Sequence, residues 1–480
     1  MSAKPWFFCV ALLAGSVAVA APVHDSPQVS LGRKVQKDSQ AFALLTELTS
    51  TIGPRLSATD RGTQAEEFVF RKLQSFGLKD VRFEPFPIQA WSRGSAELTV
   101  NGAPVRTAAM VYTPAQADVT APIAEVGNGT SADYAINYDK VRGKIAVIYM
   151  GMLPDTPAGT PRLPRWERLA LAIGHGAVGV IFINPSDGHH ITTGIAGGSA
   201  KVVSVPVVVV DKEAGVALRS DIAQGKALEG HIRLNNTVGS GYARNVIATI
   251  PGTERPHEVI VLGGHLDSLD LATGAVDDGT GAMWVLDVAR AFAKYHVRPK
   301  RTVQFIFFMG EEEGLLGSYF HVRQRIREHT LGQVRYMINT DMSLSPTGLR
   351  LWGSDPDLKF FQSFAAEVRA LYPTFVDVST ASPDMSLNSD SQPYIEQGTP
   401  IVYPMTEWAD GLMTCTHAEC DDMRWVSDQQ MRRSAVVGTM LLSALANAHE
   451  GISHIMSAEQ TTQYFDTAKI TRGYRGPVEE

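Results

Sequence analysis

Positive charge is scarce in this 480-residue sequence: 43 Lys and Arg stand against 50 Asp and Glu, a net charge of −7, with a pI near 6.0. Counterion-driven binding needs a basic face, so nucleic acid is not expected as the main partner. Long apolar runs are scarce too. Residues 6–14 form one, after Lys4 and ahead of Ala18-Val19-Ala20. It is too short and too weakly flanked to span a bilayer, and reads as a signal peptide of residues 1–20 cleaved near Ala20, on an exported (periplasmic or secreted) chain. Cysteine is scarcest, with three residues. Cys9 lies inside the apolar run rather than directly after the cleavage site, which argues against a lipid anchor; no membrane anchor is expected. Cys415 and Cys420 are left for the mature chain, and in an oxidising compartment a pair this close is most simply a disulfide.

Neither a repeat of fixed period nor a long low-complexity tract occurs. A charged fraction of 19% with 44% hydrophobic residues describes an ordinary globular chain and excludes disorder or a fibre. The length fits about three domains, or one large α/β unit with an insertion.

Residues 22–39 are polar and aperiodic, as in a leader or loose arm. Phe42, Leu44, Leu45 and Leu48 then recur at helical spacing, and 59–76 repeats the pattern, with Thr59 or Asp60 as cap and Gly77 as stop. Residues 81–86 alternate like an edge strand. From 117 to 241 the texture turns to short β-rich runs broken by Gly and Pro, with strands at 144–150, 178–183 and 205–210 and a helix at 166–174. This segment reads as a small β-rich module inserted into a larger domain made of 40–116 and 242–450, with 451–480 as a polar, peripheral tail. After Asn245 strands (259–262, 302–309, 334–340, 400–405) alternate with helices (281–296, 314–327, 359–371, 391–397). Ser427-Asp428-Gln429-Gln430 is a capping box that opens a last helix to about Ala448. That alternation specifies a three-layer α/β/α domain on a mixed, mainly parallel sheet.

Acidic groups stand at the strand exits. The run at 259–262 ends in Gly263-Gly264 and delivers His265-Leu266-Asp267 to the C-terminal edge of the sheet, where open α/β folds present ligands. Asp277-Asp278-Gly279-Thr280-Gly281 follows, then Glu311-Glu312-Glu313 after the apolar run Phe305-Ile306-Phe307-Phe308, then Asp341. A hydrolytic metal centre needs imidazole and carboxylate ligands, an open position for water, and a carboxylate to take that water's proton. Where two metals lie about 3.5–4 Å apart, a short, stiff Asp bridges them. His265, Asp277, Glu312, Asp341 and His417 are ligands of these types, and Glu311 is the candidate base.

As a set these motifs, with Gly314-Leu315-Leu316-Gly317-Ser318, Asn339-Thr340-Asp341 and His417 through Asp421, resemble those of the co-catalytic di-zinc exopeptidases. That family includes bacterial leucyl aminopeptidases, plasma glutamate carboxypeptidase, glutamate carboxypeptidase II and the transferrin receptor. The likeness covers roughly residues 42–450. It implies two Zn2+ ions, one on His265 and Asp341, the other on Glu312 and His417, with Asp277 bridging. It implies that Asp267 orients His265, and that Glu311 acts as general base toward a metal-bridging water and then as general acid toward the leaving amine. The 117–241 segment resembles the family's protease-associated domain, which would cover or shape the cleft. The implied activity is that of an exported aminopeptidase removing N-terminal residues from peptides. Carboxypeptidase or dipeptidase action is the alternative; it needs a cation for the substrate's free carboxylate, and no paired arginines flank Asp390 or His417. A non-catalytic binding protein of the same fold, like the transferrin receptor, is disfavoured by the complete set of ligands and base.

Other residues take plainer readings. Glu313 reads as solvated, Asp278 as shaping a turn, Asp270 as surface charge and Ser389-Asp390 as a helix cap. His175, His189 and His190 lack a carboxylate at ligand spacing. The cysteine pair is expected to steady the loop of His417. Trp408, Leu412 and Met413 on that loop are candidates for the side-chain specificity pocket.

Overall fold

The computed structural model describes residues 25–472 apart from 137, 161, 354–356, 381–385, 450–451 and 453–454; the expected leader, 1–20, lies outside them. Three helices open the described chain: α1 (Pro27–Asp38), α2 (Ala41–Thr51) and α3 (Asp60–Ser75). The first corrects the expected loose arm. Ser26 caps it by accepting the Val29 N–H at 3.2 Å, Pro27 occupies its first turn, and Val29 and Val35 enter the main core. Its apolar stripe is thin, so periodicity alone does not reveal it. In α3 the cap is Thr59, whose hydroxyl accepts the Gly62 N–H at 3.1 Å.

β1 (Asp80–Val100) is far longer than the edge strand expected at 81–86. The chain then leaves the main domain through β2 (Ala103–Val105), β3 (Ala108–Ala109), β4 (Gln116–Glu125), α4 (Ser131–Ile136), β5 (Ile145–Tyr149), α5 (Arg165–Gly174), β6 (Gly179–Ile183), β7 (Val207–Val210) and α6 (Lys212–Ala223), and returns along β8 (Glu229–Ile250). β4, β5, β6 and β7 are parallel neighbours. The insert is thus a small α/β unit with helices between its strands, not a purely β-rich one. β8 pairs antiparallel with β1 from Val100↔Gly230 to Asp80↔Thr249, a ribbon that joins the insert to the main sheet.

The main domain continues with β9 (Arg255–His265), α7 (Gly281–Lys294), β10 (Arg301–Phe308), α8 (Leu316–Arg327), β11 (Val334–Asn339), β12 (Gly348–Trp352), α9 (Leu358–Val368), β13 (Asp377–Thr380), β14 (Ser386–Leu387), α10 (Gln392–Ile395), β15 (Ile401–Met405), α11 (Asp428–Asn447), α12 (Ala458–Ala468) and β16 (Thr471–Arg472). Strand order is β13-β12-β15-β11-β9-β10-β8-β4-β5-β6-β7-β3. β9 runs parallel to β10 and β11, and β11 to β15, whereas β8 and β12 are antiparallel to their neighbours. This is the mixed, mainly parallel sheet expected.

Alternate residues of the central strands point to opposite layers. Ile260, Leu262, Phe305 and Phe307 pack under α2, α7 and α11. Val259, Val261, Ile306 and Phe308 pack against Val322 of α8, Tyr394 of α10 and Phe465 of α12. The tail is therefore no peripheral appendage: α12 covers the second face, capped by a box in which Ser457 and Gln460 exchange bonds. The box expected at Ser427 and Gln430 opens α11. Among the described residues no helix is long and apolar enough to cross a membrane.

Candidate metal centre

β9, β10 and β11 end at one edge of the sheet, where His265 lies beside Phe308 and Gly263 beside Asn339. Their exits place His265, Glu311 to Glu313 and Asp341 together. The strand ends approach so closely that a Cβ on Gly264 would lie 2.2 Å from Thr340 Oγ1 and 2.5 Å from Asp278 Oδ2; only glycine fits there.

The five expected ligands meet in two groups, His265 with Asp277 and Asp341, and Asp277 with Glu312 and His417, each with donor atoms within 4.8 Å of one another. His265 Nε2 lies 3.2 Å from Asp277 Oδ1 and 3.6 Å from Asp341 Oδ1. His417 Nε2 lies 3.2 Å from Asp277 Oδ2 and 3.2 Å from Glu312 Oε2. Asp277 thus turns one oxygen to each group. Glu311 belongs to neither; its Oε2 lies 4.0 Å from His265 Nε2.

The donor chemistry fits divalent cations. Carboxylate and imidazole converge, and among the described residues no Lys or Arg pairs with Asp277, Glu311, Glu312 or Asp341. His265 Nδ1 faces the Asp267 carbonyl at 3.1 Å; because a carbonyl only accepts, Nδ1 is the donor there, which leaves Nε2 as the nitrogen turned toward the acids and the one that would ligate a metal.

Asp267 does not orient His265 in the manner expected. Its carboxylate lies 3.8 Å from Nδ1, while it accepts the backbone N–H groups of Glu311 at 3.3 Å and Glu312 at 3.2 Å. The backbone of Asp267 sets the imidazole, and its side chain sets the Glu311–Glu312 turn. Asp421 does the same for the bridge, accepting the N–H groups of Val276 at 2.7 Å and Asp277 at 3.1 Å.

Arg55, in the loop between α2 and α3, had no signal in the sequence. It is fully buried and donates to the carbonyls of Leu266, Thr273 and Gly274. Burial opposes its charge, and Asp421, Asp267, Asp278 and Asp277 favour it, so it is the fixed cation behind the acidic centre.

Burial shapes the titration of the metal-free centre. It lifts Glu311 well above the ordinary Glu value, helped by the charges of Asp341 and Glu312 and opposed by His265. Burial likewise pushes Glu312 up to about 8. Asp277 goes the other way: burial would raise it, but hydrogen bonds with His265 and His417 hold it below the usual range. Burial disfavours charged His417, yet Glu312 and Asp277 raise it to about 9.

Several plainer readings change. Glu313 is buried, not solvated, and accepts the Ser57 N–H at 3.0 Å. Asp270 is no free surface charge, since Arg93 grips both its oxygens at 2.6 and 2.8 Å. Asp390 is fully buried, and neither it nor Ser389 caps α10. His189 does meet carboxylates, Glu213 at 3.3 Å and Asp211 at 3.7 Å, brought from beyond β7, although its side chain is 72% exposed. Asp278 shapes its turn as expected, accepting the N–H groups of Gly281 and Met342. A disulfide joins Cys415 and Cys420. A crevice beside Asp277 is lined by Leu412 together with Met342, Thr416 and Trp425. Met413 is exposed, and neither it nor Trp408 lines that crevice. A larger cleft of about 700 Å³ beside Trp91, Arg93 and Asp270 contains none of the ligands.

The chain is similar in sequence and fold to several known proteins. Residues 245–441 match the model of peptidase family M28, and residues 108–218 that of the PA domain. Probable leucine aminopeptidase 2 of Aspergillus fumigatus is 30% identical over 283 residues, 58% of this chain and 52% of that protein; the chain thus spans about half the length of that relative. Carboxypeptidase Q of Homo sapiens is 24% identical over 427 residues, 86% of each chain. A peptidase M28 precursor from Shewanella amazonensis has a similar fold, with TM-score 0.74 at 21% identity over 90% of this chain and 98% of that one. So has a zinc aminopeptidase from Bacillus subtilis, with TM-score 0.66 at 22% identity over 88% and 97%. The strand-exit residues His265, Asp277, Glu312, Asp341 and His417 all fall inside the segment that matches peptidase family M28, and the PA-domain match at residues 108–218 falls within the insert.

Proposed function

We propose that the protein is an exported, zinc-dependent aminopeptidase that removes N-terminal residues from peptides. The observation that carries this is Asp277, whose two oxygens face His265 and His417 at 3.2 Å each, with Glu311 held apart from both ligand groups. His265, Asp277 and Asp341 would hold one zinc, and Asp277, Glu312 and His417 a second. When bound, the ions polarise the scissile carbonyl and acidify water. Glu311 takes the proton of the attacking water and passes it to the leaving amine, so the C–N bond breaks as a neutral amine departs. Its buried, acid-crowded position raises its proton affinity above that of an ordinary glutamate, which supports that role. Asp267 fixes the turn that aims it, and surplus carboxylate at the centre suits a substrate ammonium group. The disulfide supports an oxidising compartment.

Carboxypeptidase action is the second reading, supported by the match to carboxypeptidase Q along 86% of both chains. Arg165 of the insert acts electrostatically on His417 and is a cation of the kind a free carboxylate requires. A digest of one peptide series blocked at either terminus, with and without chelator, decides. Aminopeptidase action spares N-blocked peptides and cuts C-blocked ones; the reverse pattern overturns it, and cleavage that survives chelation overturns both readings.

A further inference from the structure

His417 is the ligand least secured by its own domain. It lies outside the sheet edge, its side chain is 37% exposed, and its φ of 58° is in the left-handed region that non-glycine residues seldom adopt. The disulfide closes the loop at Cys415 and Cys420 but does not touch its middle. The middle is held from the insert. Thr193 N–H donates to the His417 carbonyl at 2.8 Å, and Glu419 N–H donates to the Ile191 carbonyl at 3.2 Å. Thr192 pairs with Ala418 in an antiparallel bridge, and its hydroxyl donates to the His417 carbonyl at 3.1 Å. Glu419 Oε2 accepts the Ile191 N–H at 2.9 Å, and Arg106 grips the same carboxylate at 2.6 and 2.7 Å while donating to the His189 carbonyl.

The same short segment reaches the other ligand loop. Arg93 donates to Thr193 Oγ1 at 3.0 Å and to both oxygens of Asp270, which follows His265 and Asp267 in the chain. The Arg106–Glu419 pair is too exposed to contribute much as an ion pair. The bonds to the segment's backbone set the register of the His417 loop, and the Glu419 side chain reaches back from that loop to a backbone N–H of the insert.

We propose that the insert is a positioning element of the metal centre: its segment Ile191 to Thr193, locked by Glu419, holds His417 in ligating position, so that the insert governs occupancy of one zinc site of the two. This rests on the peptidase reading above. The segment acts on the imidazole through the backbone of His417, and groups that orient a ligand change metal affinity by about 10- to 100-fold when lost. The selectivity for one site is what separates positioning from general support of the fold.

The test is stepwise zinc affinity by equilibrium dialysis, with amide hydrogen exchange of Ile191, Thr193 and Glu419, in wild type, Glu419→Ala and Glu419→Gln. Glu419→Ala is expected to bind the first zinc normally and the second about 10- to 100-fold more weakly, with faster exchange at the three amides. Glu419→Gln keeps an acceptor for Ile191 and is expected to recover most of the affinity. If Glu419→Ala does not fold, Thr192→Val, which removes only the hydroxyl donor to His417, is expected to shift the second affinity in the same direction. Wild-type affinity at both sites in either folded variant overturns the proposal, whether or not the amides exchange faster. Equal weakening of both sites also overturns it. A wild type that takes up no zinc overturns the peptidase reading, and this inference falls with it.

Discussion

The carboxylate of Asp267 lies 3.2 Å from the backbone N–H of Glu312 and does not hydrogen-bond the imidazole two residues before it. A residue whose sequence position points to His265 therefore holds the glutamate turn, joining the proposed ligand Glu312 and the proposed base Glu311 through one carboxylate.

Asp267→Asn tests that assignment. The amide keeps one acceptor but presents an NH2 group where two backbone N–H donors converge, so the turn must shift. The expected result is a fall in kcat of about 10- to 100-fold with zinc still bound. Loss of the His265 zinc with normal turn geometry would instead assign Asp267 to the imidazole.

Glu311→Gln separates binding from proton transfer. Because Glu311 lies in neither ligand group, the variant is expected to retain metal. Turnover should fall by about 10²- to 10⁴-fold, the usual worth of a positioned base. Activity within a few-fold of wild type refutes the role.

The metal-free protein should lose stability as pH rises. Burial lifts Glu312 to about 8 and Asp390 and Asp421 to about 7. Between their ordinary values and these, the folded state binds more protons than the unfolded one, so stability falls with rising pH. His417, raised to about 9 from 6.5, contributes stability that is complete below its unfolded value and is lost as pH rises through about 9. Both effects share a sign. Chelated protein is expected to melt lower at pH 9 than at pH 6, and zinc to restore the melting temperature most at the higher pH. A chelated melting temperature that climbs over this range contradicts the account.

Arg55→Met removes the buried donor of four carbonyls, those of Gly53, Leu266, Thr273 and Gly274. Leaving buried acceptors unpaired costs about 1–3 kcal/mol each at most, and the acidic centre loses its fixed cation as well. A clear drop in melting temperature is expected, largest without zinc, and Arg55→Lys is expected to recover only part of it because lysine keeps the charge without the planar fork. An Arg55→Met protein as stable as wild type in chelator removes Arg55 from the account.

The sheet edge was legible because apolar runs ending in His or acid are hard to mistake: His265, Glu312 and Asp341 follow buried strands, and Gly264 is forced by the crowding around it. His417 and Asp277 followed from the same motif set. What the sequence hid depends on contacts between distant segments. Arg55 reaches Gly274 across 219 positions, and Met342 and Trp425 meet beside Asp277 from different loops; no periodicity encodes such meetings. α1 carries too few apolar residues to show as a helix, although Ser26-Pro27 was a usable start signal. The long β1 and β8 were obscured because β8 meets β10 of the main domain only from Val246 to Ile250 and β4 of the insert from Glu229 to Asn235, so one alternation does not run their whole length.

Zinc titration of the metal-free chain, beside the variant Asp277→Ala, tests the shared bridge most directly. Two zinc ions per chain in the wild type, and both weakened together by the single substitution, are the expected result, because Asp277 faces both histidines. A wild type that binds no zinc, or an Asp277→Ala protein that loses only one of two ions, contradicts it.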